Sequence, residues 1–153
     1  MALKVRQSVG AFIVNSKGEF LLVRNKGRLF KNVYTDVFWD IPKGGVKGNE
    51  KLLTALKREL KEEIGTEKFT NIKKLNMSFY YGFPAKWRKA LRAKGQKVEL
   101  FYAEFYGKKN EIRVDGDELD DFAFFPPKKF LRKVAFDTTK EAFRKMMKSE
   151  WMH

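Results

Sequence analysis

The segment from residue 49 to residue 65 constrains the fold more than any other part of this 153-residue chain. Asn49 is the predicted N-cap of a helix, Glu50 is predicted in the first turn, and Gly65 is the predicted C-terminal stop. Large apolar side chains recur along the segment at helical spacing, at Leu53, Leu56, Leu60 and Ile64. This spacing predicts an amphipathic helix, so the chain must supply a core against which the apolar stripe packs.

The same helix carries three carboxylates on one flank. At roughly 100° per residue, Glu59 and Glu63 lie about 40° apart around the axis, with Glu62 about 60° to the other side of Glu59. Such a group repels itself unless a cation lies among its members, and hard oxygen ligands suit Mg²⁺ or Mn²⁺. Arg58 is adjacent to Glu62 on the helical wheel and is placed to orient it. The alternative is a solvated face of Glu and Lys, which is the commoner meaning of such a segment by itself.

A glycine-rich loop at residues 43–48 precedes the helix and shifts this balance. Gly44 and Gly45 allow the backbone to approach a ligand closely, and the N-terminus of a helix favours phosphate. The combination favours a site for cations and a phosphate-containing ligand over a solvated surface.

Apolar runs outside this helix predict a sheet. We predict strands at residues 8–14, 19–24, 38–41, 72–81, 98–106 and 122–125, and a final helix at 138–147 with Asp137 as its cap. Residues 25–37 are polar and basic with scattered aromatics, which predicts a loop. A sheet covered by two helices is an α/β layered domain, and 153 residues suit one domain with a hydrophobic core.

Composition excludes several classes of function. Cysteine is absent and the one histidine is His153, which excludes cysteine nucleophiles and thiolate metal sites and argues against a Ser-His-Asp triad. The net charge of +14 concentrates polyanions near the surface, although many lysines serve only solubility. No apolar run reaches the length of about 18 residues that a membrane span needs, and the N-terminal apolar stretch is too short for a secretory signal. We therefore expect a cytoplasmic protein without membrane contact.

The loop and helix together resemble the signature of the Nudix hydrolases. That signature is G-x5-E-x7-R-E-U-x-E-E-x-G-U, where U is a bulky apolar residue. Gly44, Glu50 and the run at 58–65 match every fixed position. Thr66 occupies the last position, where the family usually has an aliphatic residue, and we expect this departure to affect packing more than catalysis.

This resemblance implies a single Nudix domain over residues 1–153, folded as an α/β/α sandwich with a mixed central sheet. It implies cleavage of a diphosphate by water attack on phosphorus, with Mg²⁺ as the cofactor or Mn²⁺ in its place. The implied metal ligands are Glu59, Glu62, Glu63 and the Gly44 carbonyl, while Glu50 and Arg58 are supports. One carboxylate would act as general base, and the helix alone does not identify which.

Four further segments resemble two related groups, the bacterial RNA 5′-pyrophosphohydrolases and the diadenosine tetraphosphate hydrolases. Residues 39–45 resemble the W-x-x-P-K/Q-G segment, residues 81–86 the Y-x-x-P element, and residues 118–125 the E-F-x-x-W-x-W stretch. Residues 95–101 resemble the G-Q-x-Q-K-W-F strand in part, because Val98, Glu99 and Leu100 replace Gln, Lys and Trp. This exchange of a lysine for a glutamate is expected to change phosphate contacts.

These flanking segments imply further site residues. Glu118 is the candidate for an additional metal ligand or base, and Arg6 matches an arginine that contacts substrate in the RNA enzymes. The implied substrate-binding residues are Arg6, Lys43, Tyr81, Lys86 and Lys97. Aromatic and basic side chains alternate between residues 79 and 101, where a base can stack while lysines and arginines contact phosphates.

The resemblance implies an enzyme acting on a dinucleoside polyphosphate or on a triphosphorylated RNA 5′ end. We also expect a monomer. The basic surface favours additional non-specific contact with nucleic acid. Diphosphoinositol polyphosphates are an alternative substrate. A non-catalytic Nudix domain that binds RNA or nucleotide is the alternative of another class, and it predicts a decayed carboxylate set, whereas this set is intact. The loop at 25–37 is longer than in the related groups, and it either borders the active site or is a surface insertion without a role.

Overall fold

A seven-stranded mixed sheet forms the centre of the computed structural model, which describes residues 3–27, 29–31, 33–34 and 36–149. The strands are β1 (Lys4–Val14), β2 (Phe20–Asn25), β3 (Leu29–Phe30), β4 (Val33–Tyr34), β5 (Phe38–Asp40), β6 (Lys43–Gly45), β7 (Phe69–Gly82), β8 (Ala93–Phe105) and β9 (Leu119–Phe125). Of these, β3 and β4 pair only with each other among the described residues. The helices are α1 (Leu52–Ile64), α2 (Ala85–Leu91), α3 (Pro127–Lys133) and α4 (Asp137–Met147), with a 3₁₀ turn at Lys109–Glu111. Within the described ranges, no helix is long and apolar enough to cross a membrane.

The sheet divides into two branches at β1. On one side β1 pairs in parallel with β8 along its length, and β7 lies antiparallel to β8 at the edge. On the other side β1 meets β2 at Val14 and Phe20, and then pairs with β6 from Ser8 to Gly10. Strand β2 in turn carries β5 and β9. A cavity lies at this division and is lined by residues of β1, β2 and β6.

Alternate side chains of β1 point to opposite faces of the sheet and define two cores. Ala11 and Ile13 are buried against the apolar side of α1. Phe12 faces the other way and packs against Phe130 of α3 and Phe143 of α4, whose rings stack with centroids 4.2 Å apart. The predicted α/β/α sandwich with a mixed central sheet is therefore confirmed.

Helix α1 begins later than predicted. Lys51 precedes its first turn without a side-chain cap, so the predictions of an Asn49 N-cap and of Glu50 in the first turn are wrong. Glu50 stays outside the helix because its carboxylate accepts hydrogen bonds from Arg58 and from a backbone N–H of the preceding turn. Gly65 ends the helix in the left-handed region, at φ 69°, as predicted.

Other elements differ from prediction where tertiary contacts decide the structure. Leu53 is 42% exposed, so its place in the apolar stripe was wrong, and the half-buried Leu52 packs against the core instead. Residues 43–45 are strand β6 rather than loop, because they pair with β1.

The structure also contains elements that were not predicted. The predicted loop at 25–37 contains β3 and β4, and helices α2 and α3 are present in addition to the two predicted helices. Asp137 lies inside α4 and Phe136 precedes it, so Asp137 is not the cap.

Candidate active site

A cavity of about 450 Å³ lies at the division of the sheet, and its lining has two chemically different walls. We call one the acidic wall, which consists of Glu59, Glu62, Glu63, Asp115 and Glu118. We call the other the aromatic-basic wall, which comprises Arg6, Ser8, Lys43, Tyr81, Trp87, Gln96 and Phe136. Strand β6, with Gly44 and Gly45, runs between them. The cavity therefore brings together every predicted metal ligand and three of the five predicted substrate-binding residues.

Arg58 of α1 holds the acidic wall in place from behind. Its guanidinium donates two hydrogen bonds to Glu50, at 2.9 and 2.8 Å, and one to the Gly45 carbonyl at 2.8 Å. It also donates to Glu59 at 2.8 Å and approaches Glu62 at 3.4 Å. The hydrogen bonds from Arg58 lower the pKa of Glu50 to about 2 and raise the pKa of Arg58 itself. The helix, strand β6 and the preceding turn are thereby joined through one side chain.

Two consecutive glycines of β6 face different walls. A Cβ atom on Gly44 would lie 1.9 Å from Cδ of Glu59, so only glycine leaves room for that carboxylate. A Cβ atom on Gly45 would instead lie 2.9 Å from Nη2 of Arg6. Strand alternation accounts for the two directions. The Glu59 carboxylate therefore lies against the Gly44 backbone, beside the carbonyl that the family resemblance implicates.

The segment after the 3₁₀ turn docks on the C-terminal end of α1. The backbone N–H of Arg113 donates to the Ile64 carbonyl at 2.9 Å, and that of Asp115 donates to the Glu63 carbonyl at 3.1 Å. A Cβ atom on Gly65 would lie 2.9 Å from the Arg113 carbonyl oxygen, so glycine permits this close approach as well as the helix stop. These contacts bring a second acidic segment beside Glu63.

The carboxylate of Asp115 shapes the loop that carries Glu118. Its Oδ1 atom accepts hydrogen bonds from the backbone N–H groups of Asp117, Glu118 and Leu119, at 3.1, 3.2 and 3.1 Å. Such a turn is a known use of aspartate in loops. Asp115 therefore fixes the position from which Glu118 reaches the cavity.

The acidic wall is electrostatically strained. Glu63 is only 7% exposed, and burial raises its pKa to about 9, with further contributions from the charges of Glu59, Glu118 and Asp115. Burial also raises the pKa of Glu59, against the lowering effect of Arg58. A hard divalent cation would relieve this repulsion, and a donor set made only of oxygens fits Mg²⁺ or Mn²⁺. Among the described residues no three acidic side chains lie close enough together to hold a metal ion, and Arg58 donates a hydrogen bond to one oxygen of Glu59.

Three neighbouring strands place a row of side chains on the aromatic-basic wall. Arg6 of β1 is level with Gln96 of β8, which is level with Tyr81 of β7. The Gln96 amide donates to the Tyr81 hydroxyl at 2.9 Å. Ser8 follows Arg6 on the same face of β1 and is 1% exposed, and its hydroxyl has no hydrogen-bond partner among the described residues. The wall thus holds one polar group that a ligand can still satisfy.

Lys43 is the buried cation of this wall. Its ammonium lies 2.6 Å from Oδ2 of Asp40, whose side chain is fully buried. The same nitrogen is 5.2 Å from the ring centroid of Tyr81 and 5.3 Å from that of Phe136, and these rings are parallel to within 4° at a centroid distance of 6.5 Å. Burial is the largest single influence on the pKa of Lys43 and lowers it, but the charges and hydrogen bonds of Asp40 and Tyr81 together outweigh burial, so the pKa is raised overall and the lysine remains cationic.

Two predicted substrate-binding residues do not line the cavity in the part of the chain that the structure describes. Lys97 projects from the face of β8 opposite to Gln96, and its ammonium lies 3.2 Å from Glu99. Lys86 lies on α2 and is exposed. The structure therefore brings together Arg6, Lys43 and Tyr81 but not these two lysines.

Four further residues line the cavity although no site role was predicted for them, namely Ser8, Gln96, Asp115 and Phe136. Strand alternation from Arg6 was a signal that could have found Ser8. Asp115 and Phe136 carry no such local signal, because their positions depend on a loop docking against α1 and on the entry into α4.

The comparisons with known proteins agree with this geometry. The family model described as NUDIX domain matches residues 4–147, and the chain belongs to the Nudix family. The RNA pyrophosphohydrolase of Wolbachia sp. subsp. Brugia malayi (strain TRS) is 33% identical over 124 residues, which cover 78% of this chain and 71% of that protein. The RNA pyrophosphohydrolase of Bartonella quintana (strain Toulouse) is 31% identical over 150 residues, which cover 94% and 85%.

Solved structures share the fold. The MutT protein from Methanosarcina mazei Go1 superposes with a TM-score of 0.74 at 22% identity, covering 97% of this chain and 99% of that one. A C. elegans Ap4A hydrolase in a binary complex superposes with a TM-score of 0.70 at 22% identity, covering 93% and 95%. Family membership confirms the predicted class of enzyme, a Nudix pyrophosphohydrolase that acts on phosphoanhydride bonds.

Proposed function

We propose that this pyrophosphohydrolase cleaves the triphosphate at the 5′ end of RNA by water attack on phosphorus, with Mg²⁺ as its cofactor. The observation that carries the proposal is a single cavity lined by both the acidic wall and the aromatic-basic wall. The first suits cations, and the second offers cations for phosphates and rings for a base. The relatives named RNA pyrophosphohydrolase extend over most of the chain, which favours RNA as the substrate.

Glu59, Glu62, Glu63 and the Gly44 carbonyl would hold Mg²⁺, with Glu118 as a further ligand or as the base; Mn²⁺ suits the same oxygens. When bound, the cation shields the diphosphate charge and lowers the pKa of the attacking water. Within the chain, Arg58 keeps Glu59 turned against Gly44, at a hydrogen-bond distance of 2.8 Å.

The aromatic-basic wall would bind the rest of the substrate. Arg6 and Lys43 are its cations, and Lys43 is held rigidly because Asp40 also accepts hydrogen bonds from the Ile41 backbone and from Thr139. Tyr81 offers a ring face whose orientation is fixed by Gln96. A rigid wall of this kind aligns the phosphates with the acidic wall without an ordering cost at binding.

A dinucleoside polyphosphate is the second candidate substrate. The parallel rings of Tyr81 and Phe136 favour a ligand that contains a base, and both candidates contain one. A diphosphoinositol polyphosphate has no base, so this pair of rings disfavours it. The two nucleotide candidates differ in what extends beyond the cavity, and the experiment below separates them.

We further propose that the enzyme is a cytoplasmic monomer formed by one domain. One chain supplies both walls of the cavity, so hydrolysis needs no residue from a second copy. Size-exclusion chromatography with light scattering tests this. A dimer that loses activity on dilution would contradict it.

The experiment that tests the function is product analysis by chromatography. The protein with Mg²⁺ is incubated in parallel with a 5′-triphosphorylated RNA, diadenosine tetraphosphate and ADP-ribose. We expect pyrophosphate release from the RNA and little or no cleavage of ADP-ribose. Preferential cleavage of diadenosine tetraphosphate would replace RNA by the second candidate, and no cleavage of either would contradict the proposal.

Variants of the acidic wall assign the activity to this cavity. Glu62→Gln removes one ligand charge with little change in volume, so we expect a folded protein without turnover. Glu67→Gln, an exposed glutamate just beyond the helix, is the matched control. Glu118→Ala should lower kcat more than it raises KM, whereas a pure rise in KM would reassign Glu118 to substrate contact.

A further inference from the structure

Helix α2 has two sides with different chemistry. Trp87 and Leu91, four residues apart, line the cavity. Lys86, Lys89 and Arg92 follow one another at intervals of three residues, so at roughly 100° per residue they lie on the other side of the helix. All three are exposed. The helix therefore connects the cavity to a cationic outer surface, which we call the outer face of α2 and which consists of Lys86, Lys89, Arg92 and Lys94.

Acidic side chains are not paired with this surface in the part of the chain that the structure describes. Residues 68–98 contain nine lysines and arginines and no aspartate or glutamate. No member of the outer face of α2 forms an ion pair with the described residues. Basic residues elsewhere do have such partners, for example Arg24 with Asp120 and Lys68 with Glu111. Unpaired cations grouped beside a substrate cavity repel one another, and a polyanion relieves that repulsion.

The position of the outer face is fixed by backbone contacts. The Arg88 guanidinium donates to the Phe83 carbonyl at 2.8 Å, and the Phe83 N–H donates to the Lys94 carbonyl at 2.9 Å. The start of β8 is thereby held beside α2. Arg92 ends the helix in the left-handed region, at φ 53°, where glycine is the favoured residue. A strained arginine at this point is an indication of a role beyond folding.

From these observations we infer that a single RNA strand leaves the cavity beside Trp87 and runs over the outer face of α2. The inference rests on the proposed function and deepens it, because it makes the substrate a single-stranded RNA of several nucleotides rather than an isolated nucleotide. Cations that neutralise phosphates of a single strand release counterions, with a salt slope of about −0.7 per contact. A dinucleoside polyphosphate has no chain of phosphates beyond its second nucleoside, so we expect it to gain little from this surface.

The test compares 5′-triphosphorylated, unstructured RNAs of two and twelve nucleotides. Four phosphate contacts predict that raising salt from 50 to 200 mM weakens binding of the twelve-nucleotide RNA by about 50-fold. In Lys89→Glu/Arg92→Glu, the KM for the long RNA should rise by at least about tenfold at low salt, while the two-nucleotide RNA serves as the internal reference. The matched control is Lys128→Glu/Lys129→Glu on α3, two exposed lysines away from the cavity lining.

Two measurements separate the inference from the proposed function. Kinetics report on turnover, and fluorescence anisotropy of the twelve-nucleotide RNA on the inactive Glu62→Gln protein reports on binding alone. If RNA is cleaved but Lys89→Glu/Arg92→Glu raises the KM equally for the two-nucleotide and the twelve-nucleotide RNA, the inferred strand path is wrong and the proposed function stands. If RNA is bound through Lys89 and Arg92 but never cleaved, the path stands and the function fails. Equal losses in the α3 control would show a general charge effect and overturn the path.

Discussion

The two walls of the cavity are built in opposite ways. The acidic wall comes from one helix and from one loop that docks on the end of that helix through backbone hydrogen bonds. The aromatic-basic wall combines residues from β1, β6, β7, β8 and α2 with the residue before α4. The first is local in sequence and electrostatically strained, with the pKa of Glu63 raised to about 9. In the second, the buried cation Lys43 is neutralised by Asp40.

The two walls therefore differ in their effect on stability, because only the acidic wall lowers the stability of the folded protein. Carboxylates crowded in a buried space destabilise the protein, and a bound cation of the kind proposed above would offset this cost. The aromatic-basic wall is complete before any ligand arrives, with Ser8 as its unsatisfied group. Substitutions in the two walls should therefore have different effects on turnover, substrate affinity and stability.

Gly44→Ala and Gly45→Ala are expected to affect different kinetic constants, because each added methyl group faces a different wall. The alanine at 44 should displace Glu59 and lower kcat by about a hundredfold or more, since a displacement near 1 Å can cost this much. The alanine at 45 meets only the mobile end of Arg6, so KM should rise a few-fold with kcat preserved. Steady-state kinetics on the triphosphorylated RNA check both. Equal effects on kcat would remove the distinction between the walls.

Glu63→Gln should stabilise the metal-free protein at alkaline pH while it abolishes turnover. The folded-state pKa of Glu63 is about 9, whereas an unfolded glutamate titrates near 4.3. The folded state therefore keeps a proton across this interval, and the parent protein loses stability as pH rises through it. Thermal unfolding in EDTA at pH 6 and pH 9 measures the loss, at roughly 2–4 °C per kcal/mol. An equal change in melting temperature between pH 6 and pH 9 for the parent and the variant would contradict the raised pKa of Glu63. Glu67→Gln is the control.

Ser8→Ala, on the aromatic-basic wall, should weaken substrate binding without lowering the stability of the protein. The hydroxyl is buried without a partner among the described residues, so its removal should leave the melting temperature unchanged or slightly higher. If substrate supplies the missing partner, KM should rise about 5- to 10-fold, the worth of roughly one hydrogen bond. A lower melting temperature with unchanged KM would make Ser8 a structural residue.

Arg92→Gly has the smallest expected effect. Glycine relieves the left-handed backbone at the end of α2, which should stabilise the protein by about 1 kcal/mol and raise the melting temperature by roughly 2–4 °C. Affinity for the twelve-nucleotide RNA should fall at the same time. Arg92→Lys keeps the charge and the strain, so it should change neither property much. A destabilised Arg92→Gly protein would show that the guanidinium has a structural role.

The acidic wall was largely predictable because its residues are close in sequence. Helical spacing alone places Glu59, Glu62 and Glu63 on one flank, and the structure brings all three to the cavity. The start of the helix was not predictable in the same way. Glu50 is held outside by its pairing with Arg58, a contact between residues that only the folded loop brings together.

The aromatic-basic wall was harder to predict because the face on which a strand residue lies depends on register. A shift of one position decides that Gln96 lines the cavity while Lys97 points away towards Glu99. Phe136 reaches the site from near the end of the chain, and no spacing rule connects it to Tyr81. The fold class followed from the predicted sheet with its two covering helices and from the family resemblance, whereas this wall required the three-dimensional arrangement.

Strand β6 acts as a partition in which consecutive residues serve separate chemical tasks. Because Gly44 faces the acidic wall and Gly45 faces the aromatic-basic wall, changes among the residues around Arg6 need not disturb the carboxylates. Such a layout allows the leaving group to be exchanged during evolution or by directed mutagenesis while the cleavage chemistry is retained. One scaffold can in this way give rise to enzymes that differ in what they recognise and agree in the bond they break.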